Sequence, residues 1–292
     1  PPTTPAPLQP RLRWGRIASV LECVVNVSEG RRPEVVAALA AAAGADLLDV
    51  HTCGDHHRSV LTLVGEDAPR AVARAAVELL DLRHHTGAHP RIGVLDVVPF
   101  VPLNSTPMRA AIAARDEFAG WAAGTLGLPC FLYGPERSLP DIRRGAFTTL
   151  TPDVGPTAPH PSAGAVAVGA RRLLVAYNLW LAESDLDAAR RAASAVRSDA
   201  VRALGLAVGD QVQVSMNLID PERVGPAAVW DLVAALAPVA RAELVGLVPA
   251  SVLDAVPSER WAQLDLGADR TIEARLAERA RRSHQSGSDG GS

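Results

Sequence analysis

At 292 residues, with 48% apolar residues and only 4% aromatics, the chain is long enough to bury a sizeable core without disulfide or metal support. Its net charge is −3 and all 29 basic residues are arginines. That balance excludes a global basic footprint for nucleic acid but leaves arginine forks suited to small anions. No apolar run approaches the roughly 20 residues of a membrane helix. Cys23, Cys53 and Cys130 are scattered and odd in number, as expected of free thiols in a reducing compartment, so the chain is assigned to the cytoplasm.

The Pro-rich start, residues 1–17, has no apolar signal region and reads as a disordered lead-in. Residues 18–27 read as a strand, followed by a helix from Pro33 through the alanine run, with proline suited to the first turn. A strand at 46–51, a polar turn, an alternating strand at 58–65, a helix at 68–83 and a strand at 93–100 complete a β-α-β-β-α-β order, the ferredoxin-like pattern. A long helix at 105–127, a buried strand at 129–134 and a Pro/Gly loop at 151–164 come next. The first pattern then recurs: a strand at 171–181, a helix at 184–197, strands near 199–206 and 211–219, a helix around 226–238 and a strand at 241–247. The expected fold is therefore α/β (α+β) with two ferredoxin-like subdomains, 18–170 and 171–282, and a flexible polar tail at 283–292.

The split β-α-β topology has a geometric consequence. Its first two strands run one way and the last two run back, so three connections share one edge. They are the exit of the first strand at Asn26, Ser28 and Glu29, the hairpin from His51 to Arg58, and the loop from His84 to Arg91.

Six of the eight histidines, His51, His56, His57, His84, His85 and His89, fall within residues 51–89 and so on or near that rim. Taken singly, a loop histidine caps a turn or faces solvent; a cluster suits proton transfer or metal binding, because imidazole titrates near neutral pH. Pro90 biases His89 toward extended backbone, and Gly87 and Gly93 permit a tight path around it. Arg58 and Arg91 could hold a carboxylate bidentately or serve as structural ion pairs, and Asp96 could orient an imidazole or pair with an arginine. No metal is expected: there is no HExxH helix and no cysteine pair, and adjacent histidines on an extended segment point to opposite sides. The segment 155–178 lacks the P-loop and dinucleotide spacings, which leaves a loop able to embrace a flat polar ring or a plain connection.

Several co-linear segments carry a resemblance. ECVVNVSEGR (22–31), HHRSVLTLVG (56–65), HHTGAHPRIGVLDVVPFVPL (84–103), the stretch 155–178, VSMNLID (214–220) and ELVGLVP (243–249) together resemble the formimidoyltransferase domain of glutamate formimidoyltransferases. The resemblance implies two α/β subdomains enclosing a folate-binding tunnel, and transfer of a formimidoyl group from N-formimidoyl-L-glutamate to N5 of tetrahydrofolate. It places the catalytic histidine at His89. It places the folate-contacting loop at Gly155, Pro156, Thr157, Ala158, Pro159, His160, Pro161, Ser162, Ala163 and Gly164. Asn26, His56, Arg58, Arg91 and Asp96 are the accompanying rim candidates.

The chain departs from the family at Ala88, where members often carry Glu. Animal members have an acidic residue about where His51 stands and Asn about where His57 stands. These changes leave the donor open between formimidoylglutamate and a related amine. Tetrahydrofolate as acceptor, small-molecule substrates, a homodimer, and no nucleic-acid, membrane or cyclodeaminase part are the expectations that accompany this reading. A 5-formyltetrahydrofolate cycloligase, a metal-dependent hydrolase built on the His51–His89 cluster and a non-catalytic folate-binding protein are the alternatives.

Overall fold

The computed structural model describes residues 20–87 and 90–288. The expected lead-in, Ala88, His89 and residues 289–292 lie outside them.

In β1 (Leu21–Val27), Leu21, Cys23, Val25 and Val27 enter a core with residues of both following helices, while Glu22, Val24 and Asn26 take the other face, as strand periodicity requires. Helix α1 (Pro33–Ala43) starts on the proline and buries Val36, Leu39 and Ala43. Strands β2 (Leu47–Cys53) and β3 (Arg58–Val64) form a hairpin, α2 (Asp67–Leu79) crosses back, and β4 (Leu95–Pro102) returns beside β1. Helix α2 ends four residues before the expected boundary of 83, because the Asp81 carboxylate accepts the Arg83 amide at 2.9 Å and winds a separate 3-10 turn, Leu82–His84.

After α3 (Met108–Leu126), β5 (Cys130–Tyr133) and α4 (Leu139–Gly145), a sixth strand, β6 (Val166–Ala170), inserts between β4 and β5 and runs parallel to both. The sheet order is β2-β3-β1-β4-β6-β5, a split β-α-β unit extended by two parallel strands. Neither β6 nor α4 was expected from the sequence. All five residues of β6 are buried, so it shows no alternation and its glycine reads as loop.

The second sheet contains β7 (Val175–Leu181), β8 (Val201–Val208), β9 (Gln211–Leu218) and β10 (Val239–Val245) in the order β10-β7-β9-β8, antiparallel throughout. Helices α5 (Leu186–Val196) and α6 (Pro226–Ala234) cover one face, where Tyr177, Leu179, Val214, Ala192 and Val229 are buried together. Helix α6 stops at Ala234 rather than near 238, since Pro238 cannot continue a helix. Short α7 (Ala250–Asp254) and α8 (Ile272–Ser288) follow, and α8 carries helix past the expected tail boundary at 283. Each sheet thus has the ferredoxin-like order expected, with α8 an addition that the sequence reading did not include.

The two units are joined by an apolar patch of Leu48, Val64, Val101, Leu103, Leu247 and Ile272, and by Arg279 donating to Asp46 at 2.8 Å. The second sheet's other face carries Asn178, Gln213 and Glu243 beside Trp180 and Leu204. Its Gln213 and Glu243 meet His56 and His51 of the first unit. Among the described residues, no helix is long and apolar enough to cross a membrane.

Candidate functional site

The three connections meet as the topology demands. The Ser28 amide donates to the Val94 carbonyl and its hydroxyl to the Gly93 carbonyl, both at 2.8 Å, while Ser59 Oγ donates to the Glu29 carbonyl at 2.6 Å. Gly30 permits the approach: a Cβ there would lie 2.3 Å from the Cys53 carbonyl oxygen.

Glu29 is an anchor that the sequence reading placed on the rim without a role. Its side chain is 1% exposed, and Oε1 accepts from the amides of Gly30, Arg31 and Arg32 at 2.9, 2.8 and 3.0 Å. Burial pushes this carboxyl up, but those amides and the Arg32 guanidinium outweigh it and bring the pKa down to about 2. The same oxygen lies 3.1 Å from His57 Nε2, and His57 Nδ1 donates to the Thr86 carbonyl at 3.1 Å. The His57 ring stacks on His85 with centroids 4.0 Å apart, and His85 Nε2 donates to the His57 carbonyl at 3.0 Å. Burial keeps the His85 pKa below the usual histidine value. The hairpin thereby grips the segment that leads toward His89. Ser28, Glu29, His57, His84 and His85 border a small cavity of about 190 Å³ there. His84 is the outward member, with its side chain 83% exposed.

Beside this lies a buried charge cluster. Asp96 is 1% exposed and receives Arg58 at 3.1 Å, Arg143 through both terminal nitrogens, and the Ile92 amide at 2.8 Å. Burial raises the Asp96 carboxyl, but Arg143 and Arg58 outweigh it and hold it below the usual aspartate value. Asp96 therefore pairs with arginines and orients their forks. Arg58 Nε also donates to Asn26 Oδ1 at 3.0 Å. Burial is the main cause that lowers the Arg58 pKa to about 10, with Asp96 opposing it, so the side chain remains a cation at neutral pH. Arg91, half buried, donates to the Gly87 carbonyl at 2.9 Å.

The remaining rim histidines turn toward the second sheet. The Gln213 amide nitrogen donates to His56 Nε2 at 2.9 Å, and His56 Nδ1 lies 3.0 Å from Cys53 Sγ. Burial holds the His56 pKa below its usual value. His51 Nε2 lies 3.2 Å from Glu243 Oε1. His89 is outside the described residues. Among the described ones, no group of three or more His, Cys, Asp or Glu side chains is placed to hold a metal ion.

The loop 155–164 is tied to the same edge. The Leu82 amide donates to the Ser162 carbonyl at 2.7 Å and the Val94 amide to the Ala163 carbonyl at 3.0 Å, while His160 Nδ1 accepts the Ala163 amide at 3.0 Å. Gly155 through Pro159 are exposed and Ala163 and Gly164 are buried. Gly164 has φ +73°, and a Cβ on it would sit 2.3 Å from the Ile92 carbonyl oxygen. Gly164→Ala is expected to destabilise the protein by at least about 1 kcal/mol; thermal denaturation checks this, and an unchanged Tm would refute it.

Sequence reading missed Arg143, Gln213 and Glu243. Arg143 sits on the short helix α4, signalled only by a Ser138/Asp141 capping box, and the other two lie on strands of the second unit.

Comparisons with known proteins show which family the sequence belongs to. The N-terminal subdomain of the formiminotransferase domain matches residues 20–171. Glutamate formimidoyltransferase of Streptococcus pyogenes serotype M1 is 34% identical over 273 residues, 81% of this chain and 91% of that protein. That of Thermoplasma acidophilum is 34% identical over 274 residues, 80% and 90% of the two chains. Formimidoyltransferase-cyclodeaminase of Sus scrofa is 36% identical over 279 residues, and the match spans 81% of this chain but only 51% of that longer protein. A domain match over more than half of the sequence, joined by relatives covered along nine-tenths of their length, shows that the chain belongs to the formimidoyltransferase family and is an enzyme of folate-dependent formimidoyl transfer.

Proposed function

We propose that the rim moves a formimidoyl group from N-formimidoyl-L-glutamate to N5 of tetrahydrofolate, with His89 as general acid and base. The observation that supports this most is convergence. The Asn26–Arg58–Asp96 cluster, the His57–His85 stack and the loop 155–164 all adjoin the two flanks of His89. The acceptor nitrogen must lose a proton as it attacks the amidine carbon, and the departing glutamate nitrogen must gain one. A single imidazole can do both in turn. Arg58 and Arg91 bring guanidinium charge to the rim, suited to the donor's carboxylates, and the exposed backbone of Gly155 to Pro159 is suited to a flat pterin ring. Likeness to the family supports a homodimer in the cytoplasm as the working state, which sedimentation velocity and fractionation would test.

Incubation with tetrahydrofolate and N-formimidoyl-L-glutamate is expected to yield 5-formimidoyltetrahydrofolate, followed by its ultraviolet spectrum, at a rate independent of ATP. Absence of product with this donor, or a strict need for ATP, would overturn the reading.

A further inference from the structure

The second sheet brings to the rim a carboxylate that no motif of the first unit announces. Glu243, on β10, sets Oε1 3.2 Å from His51 Nε2, while Oε2 accepts from Trp180 Nε1 at 2.8 Å and from Asn178 Nδ2 at 3.1 Å. Trp180 is itself held under the Arg241 guanidinium, 4.3 Å from the ring centroid. An ionised carboxylate offers about four lone-pair directions, so three neighbours leave room for one more donor. The side chains of Glu243 and His51 keep 15% and 20% of their exposure, which leaves the pair within reach of a small ligand. Burial alone would raise the Glu243 pKa, but hydrogen bonds from His51, Asn178 and Trp180 bring it down to about 2, so it is an anion under all working conditions.

Position gives this anion a meaning. His51 is in register with Val60 on β3, and Val60 with Asn26 on β1. His51 and Asn26 therefore share one face of the sheet, about two strand spacings or 10 Å apart. Asn26 holds the Arg58 guanidinium. The rim thus presents a cation, the Arg58 guanidinium held by Asn26, and an anion, the Glu243 carboxylate held by His51, with the two holding residues on one face of the sheet. A formimidoylated amino acid has the complementary pattern: carboxylate at one end, and at the other an amidine that is cationic at neutral pH. An amidinium is planar with paired N–H donors, and a carboxylate is its natural hydrogen-bonding partner.

We propose that Glu243, braced by His51, is the residue of this chain that binds the cationic amidine of the donor. The inference rests on the donor reading above and deepens it.

The test is a charge transposition in the full chain, using N-formimidoyl-L-glutamate as donor. Glu243→Gln keeps shape and removes charge; it is expected to raise the donor KM about 10- to 100-fold, the loss of one charge-assisted hydrogen bond, with the tetrahydrofolate Kd and the Tm nearly unchanged. His51→Asp combined with Glu243→Gln returns the carboxylate to the same spot from the other side and is expected to recover most of the donor KM. An unchanged donor KM in Glu243→Gln, an equal loss of tetrahydrofolate binding, or a double variant no better than the single one overturns the proposal while leaving the reaction standing. A wild-type protein that makes no product from this donor overturns both.

Discussion

Replacing His89 with alanine is expected to lower kcat for formimidoyl transfer by about 10²–10⁴, while the tetrahydrofolate Kd shifts by no more than about threefold, or 0.7 kcal/mol. The asymmetry follows from the chemistry. A general acid–base acts on a proton that moves in the transition state, so its loss removes rate and spares ground-state binding. The flanks of the residue are anchored from both sides. On one side, His57 and His85 stack, His57 Nδ1 donates to the Thr86 carbonyl and His85 Nε2 to the His57 carbonyl, which ties residues 85 and 86 to the hairpin. On the other, Arg91 donates back to Gly87, and the Ile92 amide is fixed on Asp96 at 2.8 Å. Steady-state kinetics with fluorescence titration of tetrahydrofolate separates the two quantities. Wild-type turnover in the variant would sink the assignment, and so would a parallel collapse of folate binding.

The second large effect is one of stability. Asp96→Ala leaves two half-buried guanidinium groups, Arg58 and Arg143, facing each other without their shared counter-charge. Breaking a buried pair from one side costs about 3–5 kcal/mol, a large part of the stability of a typical domain. The pH dependence has a definite sign. Arg143 and Arg58 hold the folded Asp96 carboxyl below its ordinary value in spite of burial, so the unfolded chain takes up this proton first as pH falls. Its contribution is fully present above the unfolded aspartate pKa of about 3.9 and disappears as pH drops through the lower folded value. Urea unfolding at neutral pH should show the loss in Asp96→Ala, and the difference from wild type should shrink toward strongly acidic pH. A constant difference across that range would refute the account.

Both effects concern residues whose sequence signals differ in kind. His89 stands out locally, through Pro90 and the neighbouring glycines, and the resemblance names it. Asp96 shows only that a carboxylate sits on a hydrophobic strand, and the choice between an imidazole and an arginine partner was open until Arg143 arrived from 47 residues away. His56 was legible as a rim residue, but its partner Gln213 is 157 positions along the chain and lies on a strand whose alternation says only that this side chain leaves the core.

By itself the sequence determined the element types of the two repeated units, their β-α-β-β-α-β order and the convergence of three connections on one edge. Those properties follow from local periodicity, turn chemistry and the right-handedness of crossovers, all of which are written within a few residues or a single unit. It also carried the family, through co-linear segments. Only the tertiary structure decided which charges meet. The fully buried β6 has no period to read, and the pairs Asp96–Arg143, His56–Gln213 and His51–Glu243 form because separate elements pack and bring otherwise uninformative side chains within 3.2 Å. Partner choice of this kind depends on desolvation and geometry at a contact between elements distant in sequence, and neither is encoded in the neighbourhood of either residue alone.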